Sequence, residues 1–264
     1  MGLGQWMPHV VRTGSGLAVV RTVRGADGTP VRVLQAGGVW QSATYLDARR
    51  MEPVFAYYRA FDHAFSVRPG TGHVLMIGGG GYAWPKHVLA TRSSARLDVV
   101  EIDPAVTRAA QRWFFLDEAI GAHPGALRLV EDDGRAYLAS HAEACRMNDA
   151  PRYDAIVNDA FSGLEPVHAL ATVEAARLAR GCLVEGGLYL ANVVSAEGGA
   201  DVSFLRDVVA TLGEAFAHVH VVVCADDAYA GEDNYLVIAT DGPWQVPDAI
   251  PFDGDFPGAI LRDA

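Results

Sequence analysis

The sequence has few cysteines, no long apolar run and a deficit of basic side chains. Three cysteines occur in 264 residues, far apart and without a CxxC pair, which argues against a disulfide framework or a zinc knuckle. The longest uncharged run, Thr71 to Pro85, is interrupted by glycines and does not suit a membrane span. The first residues lack the basic and then apolar pattern of a signal peptide. We therefore expect a cytoplasmic protein that does not enter a membrane.

The charge balance narrows the range of partners. Lys and Arg together number 21 against 32 Asp and Glu, which gives a formal net charge of -11. An acidic surface repels phosphate backbones and anionic lipids, so we expect no nucleic-acid partner and no membrane partner. The same surface favours cationic ligands such as amines. The length suits one large domain, or one domain with a small appendage.

Residues 1–66 have the pattern of a small antiparallel β region. Leu17–Val20 and Val31–Leu34 are short β-prone runs around turn residues 25–28, and a second turn leads into Val39–Ala43. From Asp47 to Phe65 the apolar and aromatic spacing predicts an amphipathic connecting helix. We expect the first domain to end here.

Residues 67–264 alternate between apolar runs and helical patterns, which predicts an α/β domain with a mostly parallel sheet covered on both faces. The last two strands have no helix between them and are expected to form an antiparallel hairpin. The predicted strands are His73–Ile77, Leu97–Ile102, Leu127–Val130, Tyr153–Val157, Gly187–Val194, Val219–Val223 and Tyr235–Thr240. The predicted helices are Pro85–Thr91, Pro104–Phe115, Gly134–Ala144, Ala169–Ala179 and Val202–Phe216.

The first two strands of this domain end in residues suited to a nucleoside. A run of four glycines, Gly78 to Gly81, follows the first strand, and with Ala83 it meets the GxGxxG/A spacing of nucleotide-binding turns. Glu101 ends the second strand at about the distance where an acidic side chain reaches ribose hydroxyls. A tight turn is the plain alternative for the glycines. Asp103 is expected to cap the helix that begins at Pro104.

The next two strand ends also carry carboxylates. Asp133 and Gly134 follow the third strand, where an acidic side chain accepts from an adenine amino group or merely caps the next helix. Asp159 follows the fourth strand, at the edge where open α/β sheets bind ligands. We expect its carboxylate to take a proton from an amine or to orient one, and a strand-end cap is the alternative.

From about Leu17 to Thr240 the chain resembles the spermidine synthase (polyamine aminopropyltransferase) family, whose fold is that of class I S-adenosylmethionine-dependent transferases. The resemblance rests on residues 77–80, 100–104, 133–135 and 153–156, with Asp159. The pair Gln41-Ser42 resembles the family's Gln-Ser/Thr pair. The resemblance implies that Gln41 contacts the donor side chain, Glu101 the ribose and Asp133 the adenine. It also implies that Asp159 is the acceptor base and that the protein is a homodimer.

Three departures concern the groups that hold a cationic amine in this family. Gly81 stands where the glycine run has an aspartate, and Ser162 stands where the loop after the base has a second aspartate. Residues 57–59 replace a Tyr-His-Glu trio. Each missing carboxylate removes about 1.5–3 kcal/mol of charge-assisted hydrogen bonding to a diamine. The donor half of the site is therefore expected to be intact, and the acceptor half to be altered.

The sequence thus predicts a transferase that uses decarboxylated S-adenosylmethionine or S-adenosylmethionine as co-substrate, without a metal. By resemblance the group moved is aminopropyl, and the acceptor is an amine or other nucleophile different from putrescine. Methyl transfer from S-adenosylmethionine is the alternative reaction, since the loss of the glycine-loop aspartate favours a donor carboxylate. A nucleoside-binding protein without turnover, kept for assembly or regulation, is a further alternative. A nicotinamide-dependent dehydrogenase fits less well, because no proton relay to a carbonyl is evident.

Overall fold

The computed structural model describes residues 6–25, 27–162, 165–196, 201–224, 232–251 and 258–264. Within them, a small antiparallel sheet precedes a larger α/β unit. The small sheet has the order β1-β2-β3-β4, with β1 (His9–Thr13), β2 (Gly16–Arg24), β3 (Pro30–Ala36) and β4 (Val39–Tyr45). The predicted hairpins are confirmed, and β1 is an additional strand. The domain boundary near residue 66 stays a prediction.

The predicted helix from Asp47 to Phe65 is wrong in extent. Two short helices, α1 (Ala56–Ala60) and α2 (His63–Ser66), occupy only its second half. Pro53 pairs with Thr44 in an isolated β-bridge, so the chain before α1 stays beside β4 instead of coiling. The aromatic spacing that suggested one helix comes from side chains that pack together in the core.

The larger sheet has eight strands in the order β14-β12-β13-β11-β8-β5-β6-β7. The strands β11, β8, β5, β6 and β7 run parallel, while β13 pairs antiparallel with both β11 and β12. The predicted α/β class, parallel sheet and closing hairpin are therefore confirmed, and β14, paired with β12, adds one strand to the seven predicted. The strands are β5 (His73–Ile77), β6 (Arg96–Glu101), β7 (Leu127–Glu131), β8 (Tyr153–Asn158), β11 (Leu183–Ala196), β12 (His218–Cys224), β13 (Glu232–Thr240) and β14 (Ala249–Ile250). A two-stranded pair, β9 (Phe161–Ser162) and β10 (Glu165–Pro166), follows β8.

Helices cover both faces of this sheet. One hydrophobic cluster joins one face to the small sheet and to α1, α3, α4 and α5, and a second joins the opposite face to the later helices. The predicted helix over Ala169–Ala179 is divided at Thr172, whose hydroxyl accepts from the Ala175 amide and so begins a new helix. The helices are α3 (Ala83–Thr91), α4 (Pro104–Trp113), α5 (Leu116–Ala122), α6 (Gly134–Met147), α7 (His168–Ala171), α8 (Val173–Cys182) and α9 (Ser203–Gly213).

Candidate active site

The candidate site lies where the strand order reverses. From β5 the chain proceeds to β6 and β7 on one side, and then returns to β8 on the other side of β5. The crevice outside the carboxyl ends of two such strands is where open α/β sheets bind ligands. Here those ends carry the glycine run after β5 and Asp159 after β8. The Asp159 amide donates to the Ile77 carbonyl at 2.9 Å, which fixes the two segments side by side.

Gly78 permits this close approach. Its φ of +92° lies in a region that residues with a side chain rarely adopt. A Cβ at position 78 would lie 2.4 Å from the Asp159 carbonyl oxygen, which belongs to backbone and has little freedom to move. The structure thus places Gly78 beside the Asp159 backbone, with Gly80 two residues further along the glycine run. Their contacts with a ligand stay a prediction.

The Glu101 carboxylate ties the glycine run to the end of β6. Its Oε2 accepts from the amides of Gly79 at 3.0 Å and Gly80 at 3.2 Å, and its Oε1 accepts from the Asp103 amide at 2.9 Å. A carboxylate has about four acceptor positions, so one is left for a ligand hydroxyl. Glu101 therefore shapes the loop in addition to its predicted ribose contact.

Asp133 and Gly134 begin α6 at the neighbouring edge of the sheet. The Asp133 Oδ1 accepts from the Ala136 amide at 2.8 Å, so this residue is the N-cap that the alternative interpretation described. Gly134 is buried, and a Cβ there would lie 2.4 Å from the Ile77 Cγ2. The adenine contact stays a prediction, since capping uses only one carboxylate oxygen. The predicted cap by Asp103 on α4 is confirmed.

Asp159 has the environment of a general base. Its Oδ1 accepts from the Asn192 Nδ2 at 2.8 Å. Burial raises the pKa of Asp159 from 3.8 to about 7, although the Asn192 hydrogen bond acts in the opposite direction. A base works best when its pKa lies near the pH of operation, so Asp159 is suited to proton transfer at neutral pH.

The negative charge of Asp159 acts on two tyrosines of α1, Tyr57 and Tyr58. Burial, and next the negative charge of Asp159, raise the pKa of Tyr57 and of Tyr58 well above the ordinary phenol value. Both phenols therefore stay protonated at neutral pH. Their ring centroids are 4.2 Å apart. Arg59 differs, since its guanidinium donates to the Pro53 carbonyl.

The resemblance places residues 57–59 where the family has its Tyr-His-Glu trio, but no sequence signal would have found the Asn192 hydrogen bond to Asp159. Tyr57 and Tyr58 belong to α1, about one hundred residues before Asp159, and Asn192 belongs to β11. Asn192 comes to Asp159 because β11 pairs with β8 in the sheet, while the tyrosines feel the Asp159 charge from α1. The site therefore has one amide hydrogen-bonded to the Asp159 carboxylate and two phenols within the range of its charge.

The side-chain space at position 81 is already filled. A Cβ on Gly81 would lie 2.4 Å from Ser42 Oγ, 2.8 Å from Ser42 Cβ and 3.2 Å from Phe114 Cδ1. Ser42 is fully buried in β4, so it has little space into which to move. Gly81 is thus matched to its surroundings, and an aspartate does not fit there without rearrangement.

Gln41 precedes Ser42 in β4. The Gln41 carbonyl oxygen would lie 3.9 Å from a Cβ on Gly80, so Gln41 lies near the glycine run. Its donor contact stays a prediction.

No described helix has both the length and the apolar character that crossing a bilayer requires. Across the described ranges, no three His, Cys, Asp or Glu side chains lie together in a way that could hold a metal ion.

The protein has a Rossmann-like fold of the class that transferases use. Its glycine loop, Glu101 and Asp159 lie at one crevice of that fold. A family model described as the spermine/spermidine synthase domain matches residues 55–239. The chain therefore belongs to the spermine/spermidine synthase family.

Similar proteins agree with this placement. A polyamine aminopropyltransferase of Vibrio vulnificus (strain CMCP6) is 27% identical over 155 residues, or 59% of this chain and 48% of that protein. Polyamine aminopropyltransferase 2 of Hyperthermus butylicus is 33% identical over 124 residues, or 46% of this chain and 38% of that protein. The matched segment thus spans about half the length of these relatives or less.

Solved structures agree on the fold. A probable spermidine synthase from Corynebacterium glutamicum superposes with a TM-score of 0.69 at 22% identity, covering 89% of this chain and 81% of that one. Human methyltransferase-like protein 13, solved with SAH, superposes with a TM-score of 0.59 at 22% identity, covering 74% and 85%. At this identity the likeness concerns the fold alone.

Proposed function

We propose that the protein transfers an aminopropyl group from decarboxylated S-adenosylmethionine to an amine other than putrescine. The observation that carries the proposal is Asp159, a carboxyl group with a pKa of about 7 beside the glycine loop. The family and the names of the relatives support aminopropyl transfer as the reaction.

The proposed division of labour follows the positions of the residues. Glu101 and the glycine loop hold the ribose, Asp133 holds the adenine, and Gln41 contacts the donor side chain. The acceptor nitrogen forms a bond to the carbon beside the sulfonium. The carbon–sulfur bond breaks with its electrons going to sulfur, and methylthioadenosine leaves. Asp159 takes the proton that the nitrogen loses, while the donor needs mainly alignment.

The expected exclusion of putrescine rests on missing charges. Gly81 provides no carboxylate, and Ser42 occupies the space that one would need. Ser162 replaces the second aspartate, and its side chain lies outside the described part of the structure. A second ammonium group would thus lack partners that contribute about 1.5–3 kcal/mol each. We expect negligible spermidine formation from putrescine.

Methyl transfer is the second candidate, and the glycine at position 81 is the observation that favours it. Without a carboxylate there, the site lacks the negative charge that would repel the carboxylate of S-adenosylmethionine. The non-catalytic alternative is less well supported, because binding alone does not require Asp159 at this edge.

Calorimetry with the two donors side by side tests the proposal. We expect the decarboxylated donor to bind more tightly and to release methylthioadenosine when an acceptor amine is added. S-adenosylmethionine binding more tightly, with S-adenosylhomocysteine as product, would establish the methyltransferase instead. If NAD raises the melting temperature and neither donor nor methylthioadenosine does, the transferase assignment is wrong.

A further inference from the structure

A small cavity adjoins the candidate base on the side of the sheet that α9 covers. Its volume is about 30 Å³. Asn158 and Ala160, the two neighbours of Asp159 in the chain, both line it. Asn192, which donates to the Asp159 carboxylate, lines it as well. Asp159 itself is not among the lining residues, so the Asn192 side chain is the link between the cavity and the candidate base.

The lining of this cavity is mostly apolar. Aliphatic and aromatic side chains from α7 and α9 form much of it, among them Leu170, Phe204, Val208 and Leu212. Its polar members are partnered, since Asn158 Nδ2 donates to the Tyr189 hydroxyl at 2.9 Å and Asn192 donates to Asp159. Within the described ranges, the residues that line the cavity include no charged side chain.

We propose that the acceptor is a primary monoamine with a short apolar tail, and that the tail occupies this cavity. The inference rests on the proposed aminopropyl transfer and names the acceptor class for it. An ammonium group buried here would lose its hydration and meet no counter-charge, whereas a methylene group gains from leaving water. At about 10–15 Å³ for each water-sized group, 30 Å³ holds about two methylene-sized groups.

The rival occupant of the cavity is the adenine of the donor. Leu170 lines the cavity and also approaches Gly134, where a Cβ would lie 3.4 Å from its Cδ1. Gly134 begins α6 next to Asp133, the expected adenine ligand. An experiment must therefore separate effects on the amine from effects on the donor.

The first measurement compares amines with the intact protein. Methylthioadenosine release from decarboxylated S-adenosylmethionine is followed with n-alkylamines from propylamine to hexylamine. Putrescine is the matched diamine for butylamine, since it differs by the terminal ammonium. We expect kcat/KM to rise about fourfold for each methylene that enters the cavity and then to fall once it is full. We expect butylamine to exceed putrescine by at least about tenfold, because the buried ammonium lacks a partner.

The second measurement changes the size of the cavity. Val208→Leu adds one methylene at the lining and should shift the preferred amine to a shorter tail. Val208→Ala removes two methyl groups and should shift it to a longer tail. Val209→Leu is the matched control, since Val209 is a buried neighbour on α9 that does not line the cavity. The KM for the donor should stay unchanged in all three variants. General damage to folding would lower all rates without moving the preferred length.

Four results of these two measurements would contradict the inference or the proposed function. Faster reaction with putrescine than with butylamine overturns the inference and leaves aminopropyl transfer in place. A preferred tail length that Val208→Leu and Val208→Ala do not move also overturns it. A raised donor KM in Val208→Leu assigns the cavity to the adenine and overturns it as well. Failure of every amine to release methylthioadenosine from a donor that binds overturns the proposed function itself.

Discussion

Replacing Asp159 with asparagine should lower activity and raise stability at alkaline pH. Asparagine keeps the shape of the side chain and the oxygen that accepts from Asn192, but it carries no charge. Burial raises the pKa of Asp159 from 3.8 to about 7, so the folded protein disfavours the ionised carboxylate. The variant removes this unfavourable charge together with the base.

The sign of the stability change follows from the two pKa values. The unfolded chain loses this proton near pH 4 and the folded chain near pH 7, so the carboxyl group favours folding at low pH. That favourable contribution is lost as the pH rises through about 7. At 1.36 kcal/mol per pKa unit the full effect is at most about 4 kcal/mol, and partial exposure reduces it to about 2–4 kcal/mol. About 1–1.5 kcal/mol of it develops between about pH 6 and pH 8.

Thermal unfolding from pH 6 to pH 8 measures this difference. The melting temperature of Asp159→Asn relative to wild type should rise by about 2–5 °C across this interval. Asp154→Asn is the control, because the folded structure lowers the pKa of Asp154 whereas it raises that of Asp159. Burial alone would raise the pKa of Asp154, but the amides of Gly72 and His73 and the Arg68 guanidinium lower it overall. Its variant should be destabilised by the same amount at every pH in this range.

The effect of Asp159 on catalysis is measured over the same pH range. The wild-type kcat/KM should rise with pH through about 7, as Asp159 loses its proton. Asp159→Asn should reduce kcat by about 10²–10⁴-fold and leave donor affinity unchanged, since the predicted nucleoside contacts lie on other strand ends. If Asp159→Asn gains no stability relative to wild type between pH 6 and pH 8, the ionised Asp159 carboxylate is not destabilising and the reasoning is refuted. Full activity would refute the role of base.

Two further substitutions test the donor side. Glu101→Ala should weaken methylthioadenosine binding in calorimetry by about 1.5–3 kcal/mol, because the ribose contact and the acceptor for the glycine-loop amides are lost together; unchanged affinity would remove Glu101 from the nucleoside site. Gly78→Ala should lower the free energy of unfolding by more than about 2 kcal/mol in urea titrations, since its Cβ meets the Asp159 carbonyl oxygen in a left-handed backbone. Gly121→Ala, with open space around it and a helical position, should cost nothing. Equal stability of the two alanine variants would contradict the steric argument.

The alternation of apolar strands and amphipathic helices determined the fold class from the sequence alone. Strand β5 lies at its predicted bounds, β7 and β8 are each one residue longer at the carboxyl end, and β6 begins and ends one residue earlier than predicted. Buried parallel strands leave long apolar runs bounded by glycine and acidic residues, and such runs are visible without a partner. The conformation of the segment from Asp47 to Phe65, in contrast, cannot be predicted from the local sequence alone. Its conformation depends on Pro53 pairing with β4 and on aromatic side chains packing into a shared core.

The same division holds for the site. The sequence placed Gly78, Glu101, Asp133 and Asp159 at one edge, because the carboxyl ends of parallel strands meet there. Only the tertiary structure brought the Asn192 amide to Asp159, and only burial in the folded chain raised the pKa of that carboxyl group. Only packing filled the space at position 81 and left an apolar cavity beside the base. Desolvation and steric exclusion at the site come from residues that are distant in the sequence. The local sequence pattern therefore could not predict them.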